Sequence, residues 1–528
     1  MQQTLQIKLL PAEAASEDTI REYAAQAIGR PTRSISGIHL LKRSIDARSR
    51  QPHIILTVHV FVEEPYQERI FKTIDFPDLS GAPKKVVIIG AGPAGLFAAF
   101  KLIEKGVRPI LLERGKDVRS RRRDLASLNK QGVLNPESNY CFGEGGAGTY
   151  SDGKLYTRSN KRGDIDRILN LLVQFGADEN ILIDAHPHIG TNKLPLIIQA
   201  MRQQILDAGG LFLFEKKVVD FVLQSGRLKQ VITADGDSFE ADAFILATGH
   251  SARDIFHLLH RKKILIEAKP FALGVRIEHP QELIDRIQYH SSPAGPIARD
   301  PYLPPASYSL VQQVDHAGVF SFCMCPGGII APASTAPDEL VVNGWSPSKR
   351  NNPYANSGMV VSVEEKDLAP FREHGPLAGI HFQADVERKA YQQGGGKFVA
   401  PAQRMVDFVD RKISSDLPSC SYVPGIHSTS LQQVLPSFIY DSLRQALPLF
   451  GKKMKGYFTN EAVLVATESR TSSPVRVPRD AHSLQHPQIS NLYPCGEGAG
   501  YAGGIVSAAM DGERVADQTV RAVYSHPG

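Results

Sequence analysis

Val86-Val-Ile-Ile-Gly90-Ala-Gly92-Pro-Ala-Gly95 opens with four consecutive apolar residues. That run has no alternation, as in a short strand buried on both faces. The glycines follow at once. Leu96, Ala99, Leu102 and Ile103 then recur at helical spacing, Gly106 can end the helix, and Ile110-Leu-Leu112 makes a second strand closed by Glu113. Each part has a physical task. Gly90 permits a tight turn, Gly92 lets backbone approach a pyrophosphate, and Gly95 lets helix and strand pack closely. The helix N-terminus, including Pro93 and Ala94, offers free N–H groups and partial positive charge to phosphate. Glu113 can accept hydrogen bonds from an adenosine ribose, with Arg114 beside it; an acid here disfavours a 2′-phosphate. The order strand, turn, helix, strand, acid defines a dinucleotide site.

Gly143-Glu-Gly145-Gly146-Ala-Gly148 also matches the glycine pattern. Asn139-Tyr-Cys-Phe142 is a poor strand, however, and Ser151-Asp-Gly153 reads as a turn where a helix should begin. This second match is therefore not a Rossmann fingerprint. Gly145, Gly146, Gly148 and Thr149 instead suit a loop that turns backbone N–H groups towards flavin or pyrophosphate.

Around this centre the chain divides into four parts. Residues 1–80 read as a small α/β domain. Gln3–Leu9 is strand-like, Ser16 can cap a helix with Glu17 and Asp18 in its first turn, and two strand-like runs follow near 38–45 and 54–62. Residues 81–263 form the first part of the dinucleotide domain. It includes a β-meander from Leu211 to Thr248, containing Val218 and ending in the buried run 243–247. Residues 264–456 form an inserted, mixed substrate or cap domain without any strand–glycine–helix opening. Residues 457–528 return to the dinucleotide domain.

Three features favour FAD over NAD. Ile245-Leu-Ala-Thr248-Gly249 brings the chain back where many FAD enzymes approach their cofactor. Leu492-Tyr-Pro-Cys-Gly496-Glu497 places an acid after a strand. Gly498-Ala-Gly-Tyr-Ala-Gly503-Gly504-Ile505 opens the last helix, and a helix N-terminus near a reduced, negatively charged flavin favours reduction. These features resemble the glutathione-reductase-like class of flavoproteins with two dinucleotide-binding domains. In that class the acid contacts the ribityl–phosphate portion and the helix points at the pyrimidine edge. The commoner Gly-Asp is Gly496-Glu497 here.

More specific runs include Lys42-Arg-Ser-Ile-Asp-Ala-Arg48, Phe142–Lys154, His186-Pro-His-Ile-Gly-Thr191, Ala247–Arg253, Lys269–Arg276, Phe322-Cys-Met-Cys-Pro-Gly-Gly328 and Glu468–Arg476. Through them the chain resembles the bacterial, largely uncharacterised FAD-dependent dehydrogenases. The resemblance implies FAD and an oxidoreductase, and names no substrate; with no recognisable attachment motif in the sequence, the FAD is expected to be non-covalent. The expected architecture is α/β, α+β overall: a Rossmann-type FAD domain of the glutathione-reductase-like class with an N-terminal domain and an inserted cap. NAD(P)H is expected only as a transient reductant.

Other constellations point less sharply. His250 follows the Ala-Thr-Gly turn and suits a position near cofactor or substrate. Arg470, Ser472 and Arg476, stiffened by Pro474 and Pro478, could grip a carboxylate or phosphate. Alternatively Glu468 pairs with Arg470 and the segment only links domains. Cys323 and Cys325 share a strand face and read either as a redox pair or as small buried residues. His186 and His188 lack further ligands nearby, so no metal is expected. Arg119, Arg121, Arg122 and Arg123 read as a solvated helix face.

The 528 residues carry a net charge of only +5, which does not suggest a nucleic-acid or membrane partner. Five dispersed cysteines and no leader-like start suggest a reducing, cytoplasmic setting. The partner expected is a small molecule, with an RNA-modifying or regulatory flavoprotein as alternatives.

Overall fold

A computed structural model describes residues 1–157, 163–292 and 295–525. At its centre is a five-stranded sheet in which every pairing is parallel. Its order is Leu492–Pro494, Ala243–Leu246, Lys85–Ile89, Arg108–Leu112, Leu211–Leu213. The run Val86–Ile89 is buried on both faces, which explains its lack of alternation. One face is covered by the helices Pro93–Glu104 and Ile505–Ser525, which pack on each other. The first and last parts of the dinucleotide domain therefore join through the sheet itself: Leu492–Pro494 is its edge strand.

The meander is a separate three-stranded antiparallel sheet over Val218–Gln224, Arg227–Thr233 and Ser238–Glu240. Leu211–Leu213, expected to belong to it, is instead the far edge of the parallel sheet.

The N-terminal residues form a three-stranded antiparallel sheet, Gln2–Leu9, His53–Val62, Ile35–Asp46 in spatial order. Its helix Glu17–Ile28 begins where Ser16 accepts the N–H of Thr19, and ends at Gly29 with φ +66°. Arg43 ties this sheet to Asp184 at 2.7 Å.

The cap is built on a seven-stranded sheet, ordered Val311–Val314, Ala317–Cys325, Tyr354–Val363, Phe271–Pro280, Val463–Glu468, Ala400–Arg404, Ile426–Ser428. All its pairings are antiparallel except the last, between Ala400–Arg404 and Ile426–Ser428. Two expectations change here. Val463–Glu468 pairs with Phe271–Pro280, so the cap sheet reaches beyond residue 456. The two-dinucleotide-domain class does not describe the chain either. Antiparallel strands joined over long stretches leave no place for a second βαβ phosphate turn, and among the described residues only one parallel Rossmann-type sheet is present. No helix among those residues is long and apolar enough to cross a membrane.

Candidate FAD site and the cavity beneath the cap

The glycine turns are built around contacts that no side chain would allow. A Cβ on Gly95 would lie 2.0 Å from the Gly90 carbonyl oxygen, and one on Gly90, at φ +105°, would lie 2.7 Å from that of Ala247. Gly92 faces Gly146 across the entrance. The Gly145 amide donates to Ala91 O at 2.9 Å, so the second glycine loop is bonded onto the first. Gly145 at φ +77° and Thr149, whose hydroxyl donates to Glu144 O at 2.7 Å, shape that loop from behind.

Glu113 organises both loops. Its carboxylate accepts the N–H of Ala91 at 3.0 Å, of Gly115 at 2.9 Å and of Gly143 at 2.9 Å. Arg114 is held by Glu137 and Asp254, with its guanidinium 4.0 Å from the Phe142 ring centroid.

A single elongated cavity runs along these turns. Gly90, Gly92, Pro93, Ala94, Glu113 and Arg114 line one stretch, with Val218 beside them. Thr248, Gly249 and His250 line the adjoining wall, and Gly146 and Gly148 the facing one. Glu497, Gly503, Gly504 and Ile505 complete it at the N-terminus of the last helix. Cβ atoms on Gly249, Gly503 or Gly504 would meet nothing within 4 Å, so bare backbone faces open space. An extended dinucleotide fits this lining: an acid at the ribose end, glycines at the pyrophosphate, and a helix N-terminus at the flavin ring. Of the expected cofactor residues, Gly95, Gly145, Thr149 and Gly496 stand behind the lining. Gly496 donates its N–H to Asp511 at 2.8 Å, and Asp511 in turn pairs with Arg479 at 2.6 Å. His250 Nδ1 lies 3.2 Å from Glu497.

Beyond the helix N-terminus the cavity continues under the cap, lined by Asp152, Lys154, Phe322, Cys323, Asn343 and Thr471. Burial opposes ionisation of Asp152, but Lys154 and Arg350 together keep its carboxyl below the usual range; Arg350 pairs with it at 2.7 Å.

The arginine fork does not form. Arg470 touches the cavity but is held by Glu387 at 2.9 Å and Glu339 at 3.3 Å, and it donates to Thr335 at 2.6 Å. Its carboxylate partner is not Glu468, which pairs with the fully buried Arg276 at 3.0 Å. Arg476 is exposed and faces Glu267 and Tyr501 outside the cavity lining. Ser472 is half-buried and also off that lining. His188 bonds Ser348 O at 3.2 Å, and no metal-binding cluster is found among the described residues.

Two structural residues were missed. Arg121 is fully buried and donates to the carbonyls of Asn139, Glu144 and Tyr140 at 2.8, 2.8 and 2.9 Å, clamping the loop that carries the second glycine run. Glu144, buried behind it, accepts from Val118 N at 2.8 Å and pairs with Arg202 at 3.2 Å; burial pushes its carboxyl up.

Fold and site together define an FAD-dependent oxidoreductase. Residues 84–130 match the model of an FAD binding domain, and residues 270–471 match that of an FAD-dependent protein, C-terminal domain-like. Residues 1–61 match a domain of unknown function. An uncharacterized protein of Clostridium beijerinckii is 40% identical over 504 residues, covering 92% of each chain. The chain belongs to the same family as that protein.

Among solved structures, a triple mutant of the flavin-dependent brominase Bmp2 shares 13% identity over 84% of this chain and 81% of its own, with a TM-score of 0.37. A 2-methyl-3-hydroxypyridine-5-carboxylic acid oxygenase mutant shares 9% over 84% and 85%, with a TM-score of 0.34. Both likenesses are too loose to carry an argument about this chain.

Proposed function

We propose that the chain moves an electron pair between FAD, lying along the cavity, and a small organic substrate that enters beneath the cap. The observation carrying this reading is the continuity of the cavity: the dinucleotide turns line one end, and Phe322, Cys323 and Asn343 line the other. FAD bound there supplies reversible two-electron chemistry. The chain's part is to bind, orient and shield. The backbone at Gly503–Ile505 presents helix N–H groups to negative charge. His250 and Glu497, 3.2 Å apart, can share a proton beside the cofactor.

With Arg470 bound to two carboxylates, an anionic substrate at the cap end would be met by Lys154, whose ammonium also donates to the Met324 carbonyl and whose nearest acid, Asp152, is paired with Arg350. A nicotinamide donor would reach the flavin transiently through the same cavity. The proposed partner is thus a small molecule; no observation favours the RNA-modifying or non-turnover readings.

The test is anaerobic. Photoreduced holoprotein is mixed with small carbonyl compounds, quinones and their carboxylated forms, and flavin reoxidation is followed. At least one class should reoxidise it, and Asn343→Trp, which narrows the cap end, should slow that step at unchanged FAD content. Equal rates in both proteins for every acceptor would show that the cap end is not the substrate path.

A further inference from the structure

The cap wall of the cavity carries two cysteines. Cys323 and Cys325 end the strand Ala317–Cys325, where its pairing with Tyr354–Val363 slips between Phe322 and Cys325. Such a bulge re-aims side chains, and both cysteines line the cavity. Cys323, at φ +45°, has an exposed side chain, whereas Cys325 is buried. The exposure of Cys323 is to the cavity it lines; it lies deep enough that burial pushes its thiol up to about 11.

The surroundings of Cys325 differ. Lys154 Nζ stands 3.7 Å and Arg276 Nη2 3.5 Å from its sulfur. Arg276 also donates to the Cys323 carbonyl at 2.6 Å, and the Cys325 thiol donates to that same oxygen at 3.3 Å. One fully buried arginine therefore positions the whole bulge.

We propose that Cys323 and Cys325 form a dithiol–disulfide pair that exchanges electrons with the flavin held in the same cavity. The inference rests on FAD occupying that cavity. Only Met324 separates the two cysteines, and the bulge with Cys323 at φ +45° takes them out of regular strand geometry, in which same-face Cβ atoms stand farther apart than the ~3.8 Å of a disulfide. A disulfide on the wall of an open cavity is accessible, and accessible disulfides are the readily exchanged ones rather than structural staples. The step balances. The two S–H bonds break, one S–S bond forms, and the pair loses two electrons and two protons. Oxidised FAD is the oxidant and takes up both electrons, with protons from the pair or from solvent. In reverse, reduced FAD opens the disulfide.

The experiment uses holoprotein oxidised with diamide, desalted and titrated anaerobically with dithionite. The wild type should consume two electron pairs per FAD, and Cys323→Ser one. Peptide mapping by mass spectrometry should find 323 linked to 325 before titration and both thiols alkylated after it. Mapping and wild-type titration decide the matter even if the variant fails to fold. Consumption of a single pair, with both thiols free after diamide, would overturn the proposal. A preparation with no FAD would overturn the cofactor reading instead.

Discussion

Glu113 Oε1 accepts the backbone N–H of Gly143 at 2.9 Å, across thirty residues of sequence. The residue expected to meet the ribose also joins the two glycine loops. Glu113→Ala should therefore act twice, removing a ribose acceptor and freeing three buried amides. Losing one charge-assisted hydrogen bond costs roughly 1.5–3 kcal/mol, about a 10- to 150-fold weakening. Titration of apoprotein with FAD should show a loss at or beyond that range. Unchanged affinity would remove Glu113 from the site.

Gly95→Ala should cost most of the bound FAD, because its Cβ would lie 2.0 Å from the Gly90 carbonyl and force strand and helix apart. Gly81→Ala, outside the cavity lining, meets no protein atom within 4 Å and should keep both fold and flavin. The ratio of flavin to protein after purification, with circular dichroism, separates the two. Equal flavin loss would mean that crowding at Gly95 is not what matters.

Arg470→Ala should reduce stability rather than substrate affinity alone. It would leave the buried carboxylates of Glu387 and Glu339 mainly to Arg253, which pairs with them at 2.8 and 3.0 Å. Leaving a buried charge wholly unpaired costs about 3–5 kcal/mol; with Arg253 still in place the loss should be smaller, about 1.5–3 kcal/mol for the charge-assisted hydrogen bonds removed. Denaturant unfolding should show that loss. A variant of normal stability would return Arg470 to the list of substrate ligands.

Neighbours Glu278 and His279 give opposite pH responses. Burial raises Glu278 to about 7 despite hydrogen bonds from Ser421, and burial lowers His279 to about 4. The raised carboxyl contributes stability that is fully present below its unfolded pKa near 4.5 and is lost as pH rises through 7. The lowered imidazole contributes stability that is present above 6.5 and is lost as pH falls through 4. Between about 4.5 and 6.5 the two slopes cancel. Glu278→Gln should therefore gain stability relative to wild type as pH rises from 4.5 to 7. Chemical denaturation across that range checks the sign; a constant difference would contradict it.

The dinucleotide turn was legible because its determinants are local: strand, glycines, helix and acid lie within 86–113. Arg121 was also within reach. It sits with Val118, Leu125 and Leu128 on the buried face of the helix Val118–Gln131, at three- and four-residue spacings. Its charge concealed it among Arg119, Arg122 and Arg123, which are exposed. The cap sheet was not legible, since Phe271–Pro280 pairs with partners some 80 and 190 residues away and local periodicity does not report such register. The same long-range pairing gave Glu468 to Arg276 and left Arg470 for Glu387, a choice that spacing alone does not decide.

The cavity beneath the glycine turns is expected to hold FAD without a covalent link. Heat or acid treatment of the purified yellow protein, followed by chromatography and mass spectrometry of the supernatant, tests it directly. One FAD per chain should be released, leaving a colourless precipitate. Release of FMN, or flavin that remains with the denatured chain, would contradict the account.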